Sequence, residues 1–368
     1  MTEGPFGSRL KKAVGLLLRG DRRQAVRGPI PAITQEEVEE ARRFFPRPKF
    51  FIFGHARSGT TLLARLVRLH RQVYCNWQSH FFTRAPFLTG LVESPEVAEW
   101  LGRRNNRWNR GRDLSPVALR AVADFILERE AAREGKSIVG DKSPSSRLHG
   151  AAVERLAAVY PDARLIYIVR DGRDTLVSQR LQSFVDAVDG LSRDDLRLRQ
   201  AFVGSPDDFL GGARSIFVEA DLRRGAERWA RNVTETVAAG KERFGDRFVH
   251  LRFEDVLADP LRAIMGVWAF LGAAEPGREE EEAVRTEMAR NPDAEWQQQQ
   301  LGEAAWRIPK GGSGSWRAMM TARDLAVVDQ AAGATLRAWG YPESRGQGTG
   351  NREQGTGNGE QGTGNSGR

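Results

Sequence analysis

Phe50 to Val67 reads FFIFGHARSGTTLLARLV. It opens with a short, continuous apolar run, turns through residues bounded by Gly54 and Gly59, and continues with apolar residues at helical spacing. A buried strand, a glycine turn and a helix in that order make a βα unit whose turn aims backbone N–H groups from a helix N-terminus. The glycines have the spacing of GxxxxGK[ST], but Thr60 stands where that pattern has lysine. In a triphosphate loop that lysine reaches the outer phosphates and the following hydroxyl holds magnesium. Without it, the loop suits a terminal anion, with donors from Ser58, Gly59, Thr60 and Thr61 and with Arg57 reaching in from the side. The plainer alternative is that SGTT only caps a helix from Leu62 to Leu69 while Arg57 is solvated. The order strand, glycines, hydroxyls, helix is the order that anion binding requires.

Other segments repeat the strand-then-helix pattern. ARLIYIVR and RFVHLRFED are strand-like runs followed by helical periodicity, and shorter strand candidates lie at Val73–Tyr74 and Ser137–Gly140. Alternation of this kind predicts an α/β fold: a P-loop-like three-layer α/β/α arrangement with a mostly parallel central sheet. Its ligand belongs beyond the carboxyl ends of the strands.

The chain has 368 residues, 40% of them hydrophobic, enough for a sizeable core. The domain expectation is a basic, helical extension over 1–45, a main domain over 46–344 and a low-complexity tail over 345–368. The boundary near 46 rests on ITQEEVEEARRFFPRPKF, a helix with acids first and arginines last, then punctuated by Pro46 and Pro48. The tail repeats RGQGTGN, REQGTGN and GEQGTGN, which offer nothing to bury, so it is expected to be disordered.

A net charge of +8 favours an anionic partner but does not choose among nucleotides, sulfated or phosphorylated substrates, nucleic acid and membrane surfaces. Seven lysines stand against forty-nine arginines, which makes each lysine position informative. Cys75 is the single cysteine, so no intrachain disulfide forms. The five histidines lack metal-site spacing, and no metal is expected. The run Val14–Leu18 is too short to span a membrane; SRLKKAVGLLLRGDRRQAV is either a solvated arm or a basic amphipathic helix in weak contact with anionic lipid. The expected location is the cytoplasm.

Three motifs together resemble sulfotransferases that use 3′-phosphoadenosine 5′-phosphosulfate (PAPS). RSGTTLL after an apolar strand is similar to that family's 5′-phosphosulfate loop. IYIVRDGRDTLVSQ is similar to its 3′-phosphate motif, with Arg170 and Ser178 eight residues apart. PKGGSGSWRAMMT resembles the glycine-rich KGxxGxWK segment that closes over PAPS, with Lys310, Gly311, Gly314, Trp316 and Arg317 in register and Pro309 in place of an arginine. The resemblance spans about Phe50 to Thr321 and is nearer to bacterial, tyrosylprotein and heparan-type members than to cytosolic aryl sulfotransferases. It implies PAPS as co-substrate, no metal, no nucleic-acid partner and a hydroxyl or amine acceptor such as a carbohydrate, glycolipid or peptide.

The resemblance also implies roles. Arg57 and Lys142, in VGDKSP, meet the leaving group. Arg57, Ser58, Gly59, Thr60 and Thr61 hold the 5′ end; Arg170, Ser178, Lys310 and Gly311 hold the 3′-phosphate. Tyrosylprotein members carry a glutamate base where this chain has Gln78, in WQSHFF, so the base expected is His80, two positions on. The alternative for His80 is a packed histidine among Trp77, Phe81 and Phe82, and His149 is a weaker candidate. An aromatic near Phe253 is expected beside the adenine. In this chain Arg173 with Asp171 and Asp174 reads as a local ion-pair network shaping the turn. Two rival functions remain open: a P-loop small-molecule kinase or nucleotide hydrolase, which needs the absent lysine, and a basic binding module using RRNNRWNRGR, Arg103–Arg112.

Overall fold

A computed structural model describes residues 30–103, 109–147, 149–186, 191–290 and 312–343. The repeat tail, most of the N-terminal extension, Lys310, Gly311 and the centre of RRNNRWNRGR lie outside the described residues.

Helix α1 (Gln35–Phe44) begins at a capping box: Glu37 N donates to Thr34 Oγ1, and Thr34 N donates to the Glu37 carboxylate. Strand β1 (Lys49–Gly54) leads into α2 (Thr60–Arg68) and β2 (Val73–Trp77). After α3 (Pro95–Gly102) and the long α4 (Ser115–Arg133) comes β3 (Ile138–Lys142). Then follow α5 (His149–Val159), β4 (Arg164–Val169), α6 (Gly172–Asp186), α7 (Arg193–Gly204) and the 26-residue α8 (Glu219–Phe244). Strand β5 (Phe248–Arg252) completes the sheet, and α9 (Phe253–Ala258), α10 (Pro260–Leu271), α11 (Arg278–Arg290), α12 (Trp316–Met319) and α13 (Ala322–Ala338) close the described chain.

The five strands lie in the order β2-β3-β1-β4-β5, and every pairing is parallel. This is the α/β architecture that the alternating pattern predicts. The reason β1 reads as unbroken apolar sequence is visible in its packing. Phe51 and Phe53 enter one core with Leu165, Tyr167 and Val169, while Phe50 and Ile52 enter the other with Ile166 and Ile168. A strand with both faces covered has no solvent side to alternate. The short strands extend further than their apolar residues: β2 reaches Trp77, and β3 reaches Lys142, which therefore ends the strand rather than following it.

At the amino ends of the strands, Lys49 Nζ sits 2.7 Å from Glu128 and 3.3 Å from Asp124, with Tyr160 OH donating to Asp124 at 2.9 Å and Arg120 paired to Asp162 at 2.6 Å. These buried charges lie at the opposite end of β1 from Gly54, so they anchor α4 without entering the ligand face.

Candidate active site

The sheet order decides where the motifs meet. Strand β1 lies between β3 and β4, so the turn after Gly54, the end of β3 at Lys142 and the residue after Val169 emerge side by side at the carboxyl edge. The chain leaves β1 toward β2 on one side and returns through β3 to β4 on the other, which opens a crevice at that edge.

Helix α2 starts at Thr60, two residues before the expected Leu62. Its N-cap is Gly59, at φ 88°, and no side chain caps it. A Cβ on Gly59 would stand 2.2 Å from the Phe253 ring, so both the backbone conformation and the space require glycine. Arg57 also has a positive φ, 73°, a sparsely populated conformation for an arginine and common where a loop is shaped for a ligand. Among the described residues no partner meets the buried Ser58 Oγ. Thus the hydroxyls of SGTT do not serve as a helix cap, and the first amides of α2 keep their donor capacity.

The structure brings most of the candidate residues together. Lys142, fully buried, donates to Thr61 Oγ1 at 3.3 Å, and its Nζ lies 5.2 Å from the centre of the half-exposed Trp77 ring. Arg57 Nε donates to Ser178 Oγ at 3.1 Å, placing the first loop's arginine on the second loop's serine. Arg170 Nη1 donates to Arg57 O at 3.1 Å and Nη2 to Gly312 O at 3.0 Å, while the guanidinium lies 4.9 Å over Phe253. Arg170 Nε is buried without a partner among the described residues. Three separate motifs thereby share one set of hydrogen bonds centred on Arg57 and Arg170.

His80 stands on a loop sewn to the end of β3. Gln78 N donates to Lys142 O at 2.8 Å, Ser79 N to Asp141 Oδ1 at 3.0 Å and His80 N to Ser143 Oγ at 2.9 Å, and Ser143 Oγ in turn donates to Asp141. Gln78 and His80 both take φ 54°. The His80 ring pairs through Nδ1 with Thr83 Oγ1 at 2.9 Å. Partial burial, with the charges of Arg84 and Lys142, holds its pKa below the ordinary histidine range, so the neutral ring dominates at pH 7. Phe82 turns away into the core, 5.7 Å from Phe51. His149 sits at the start of α5 with Nδ1 4.0 Å from Glu235.

Two residues to which the motifs gave no place in the site matter here. His55, 1% exposed, lies 3.2 Å from Ala56 O and 3.1 Å from Gln179 Nε2, and burial pushes its imidazole down to about 4. Gln179 also donates to Ala56 O and to Ser146 Oγ, tying the first loop to the segment after β3. Only its place beside Ser178 on α6 hinted at this. The second is Asp174. The expected ion network is half right: Arg173 and Asp171 pair at 2.7 Å, but Asp174 accepts from Gly314 N, Ser315 Oγ and Trp316 N in the third motif. A residue four positions from the motif's arginine is committed to a segment 140 residues away, which local sequence does not reveal.

Among the described residues no cluster of three or more His, Cys, Asp or Glu is placed to hold a metal ion, and no helix is long and apolar enough to cross a membrane.

A family model described as "Sulfotransferase family" matches residues 48–276. Protein-tyrosine sulfotransferase A of Caenorhabditis elegans is 27% identical over 135 residues, covering 36% of this chain and 32% of that protein. An uncharacterized Aquifex aeolicus protein is 26% identical over 168 residues, 45% of this chain and 21% of that one. The matched stretches therefore span between about a fifth and a third of these relatives. Among solved structures, a sulfotransferase from Alicyclobacillus acidocaldarius has 21% identity and a TM-score of 0.37, with 71% of this chain and 99% of that chain covered. A mouse sulfotransferase complexed with PAP has 16% identity and a TM-score of 0.42, covering 83% and 90%.

Proposed function

Because the chain belongs to the sulfotransferase family, we propose that it transfers the sulfuryl group of PAPS to a hydroxyl or amine of an acceptor. The observation that carries this reading is the convergence of the Gly54–Thr61 turn, Lys142 and Arg170 at the ends of three adjacent strands.

The amides at the start of α2 and the Thr60 and Thr61 hydroxyls would receive the 5′-phosphosulfate. Arg170 and Ser178, with Lys310 and Gly311 of the third motif, would receive the 3′-phosphate. In the transfer the acceptor oxygen forms a bond to sulfur as the bond from sulfur to the bridging phosphate oxygen breaks. The electron pair leaves on adenosine 3′,5′-bisphosphate (PAP), and Arg57 and Lys142 offset the charge that grows there. The acceptor proton goes to His80. In the tautomer whose Nδ1–H donates to Thr83 Oγ1, Nε2 is the basic atom, and the depressed pKa keeps the ring neutral at pH 7. The segments 78–112 and 182–222, which differ in character from the motif-bearing turns, are the parts assigned to the acceptor, a carbohydrate, glycolipid or peptide.

Equilibrium binding of PAP to the wild type and to Arg170→Ala tests the reading. Losing a charged hydrogen-bonding partner should cost about 1.5–3 kcal/mol, roughly tenfold to a hundredfold in affinity. A wild-type protein that does not bind PAP overturns it.

A further inference from the structure

Asp174 is fully buried in the first turn of α6, where the helix dipole favours a carboxylate. Its oxygens accept three hydrogen bonds from three consecutive residues: Gly314 N at 2.7 Å, Ser315 Oγ at 2.7 Å and Trp316 N at 3.0 Å. Its neighbour Arg173 lies 3.8 Å from the centre of the Trp316 ring, so α6 grips the stretch by charge and by stacking. Gly314 takes φ 93°, which turns its amide while the chain reverses. Two residues earlier, Gly312 O accepts from Arg170 Nη2 at 3.0 Å.

These contacts form a closed circuit. Arg170 leaves β4, α6 begins two residues later, Asp174 holds Gly314–Trp316, and Gly312 returns to Arg170. We propose that Asp174 is a positioning residue for nucleotide binding: it docks the Gly312–Trp316 turn and through Gly312 sets the direction of the Arg170 guanidinium. The inference rests on the PAPS reading and goes beyond it, since that reading gives Asp174 no part in holding the nucleotide. A carboxylate suits this task because two oxygens accept from several donors at once, and the bonds it makes from within a helix are stiffer than those of a loop residue.

Three variants test it with PAP as the probe: Asp174→Ala, Asp174→Asn and Ser315→Ala. Asp174→Ala should weaken PAP binding by about tenfold or more, with Asp174→Asn intermediate because its carbonyl still accepts, and Ser315→Ala the mildest. The KM for PAPS should rise in the same order while the acceptor KM stays at its wild-type value, a split that general destabilisation would not produce. Hydrogen exchange of the 312–319 amides should speed up in the same order. If Asp174→Ala does not fold, Asp174→Asn and Ser315→Ala still decide the matter. Wild-type PAP affinity in both overturns the role of Asp174. Failure of the wild type itself to bind PAP is a different result: it overturns the nucleotide reading, and the role of Asp174 falls with it.

Discussion

His55 and His80 show how one side chain takes opposite roles according to burial. Both have depressed pKa values, chiefly from burial, but His80 is only partly buried whereas His55 is sealed beneath the loop. For His80 the consequence is kinetic. The base must be neutral, so kcat/KM should stay level near pH 7 and fall on the acid side, with its inflection below 6.5; in His80→Ala turnover should drop about 100-fold or more and that inflection should vanish. Wild-type turnover in His80→Ala would remove the histidine from the mechanism. For His55 the consequence is stability. Between its folded value of about 4 and the unfolded value near 6.5, the unfolded chain binds the extra proton, so stability is complete above 6.5 and is lost as pH falls. The full loss from this group is about 3 kcal/mol. Denaturant unfolding of His55→Asn at pH 7 and pH 4 should show a difference smaller by about that amount. Neither environment was legible in the residue's letter. His80 is proposed as the base because it stands two positions from Gln78 in WQSHFF, and His55 is not singled out because nothing in GHARSGTT tells which side chains the loop encloses.

At the scale of elements, β1 was readable and α4 was not. A strand covered on both faces advertises itself by unbroken apolar sequence. Helix α4 departs from the usual pattern: beside the apolar Leu119, Ala123 and Leu127 it buries Arg120, Asp124 and Glu128, and it exposes Val122, Phe125 and Ile126. The buried charges are stable only because Lys49 from β1, Arg47 before it and Asp162 before β4 meet them, partners supplied by distant chain. Burial pushes the Asp124 carboxyl above its usual range, and Lys49 works against that. Lys49→Met should therefore cost about 3 kcal/mol and lower Tm by roughly 6–12 °C. PAP affinity of the folded protein should be unchanged, because the network lies at the amino end of the sheet. A loss of PAP binding at a temperature where the variant is folded would contradict that separation.

For the whole molecule, the described C-terminal residues up to 343 are part of the fold. Tyr341, 4% exposed, donates to Glu254, which accepts from Asp171 N, and Arg173 donates to Pro342 O. Removal of 345–368 should leave Tm and PAP affinity at wild-type values, whereas removal of 341–368 should lower Tm by several degrees, since it takes one hydrogen-bond partner from the half-buried Glu254 carboxyl and one from the Arg173 guanidinium. Calorimetry of the two truncations separates these outcomes. The sequence by itself determined the βα alternation, the parallel sheet and the three motif-bearing turns, because those follow from local signals: apolar runs, glycine spacing and helix starts. It did not determine that Arg57 meets Ser178, that Lys142 lies buried beside Trp77, or that Asp174 serves the third motif rather than its own turn. Those facts depend on which strands are neighbours, and strand order is set by packing both faces of the sheet at once. Only the tertiary structure could bring the described parts of three motif-bearing turns into one set of hydrogen bonds.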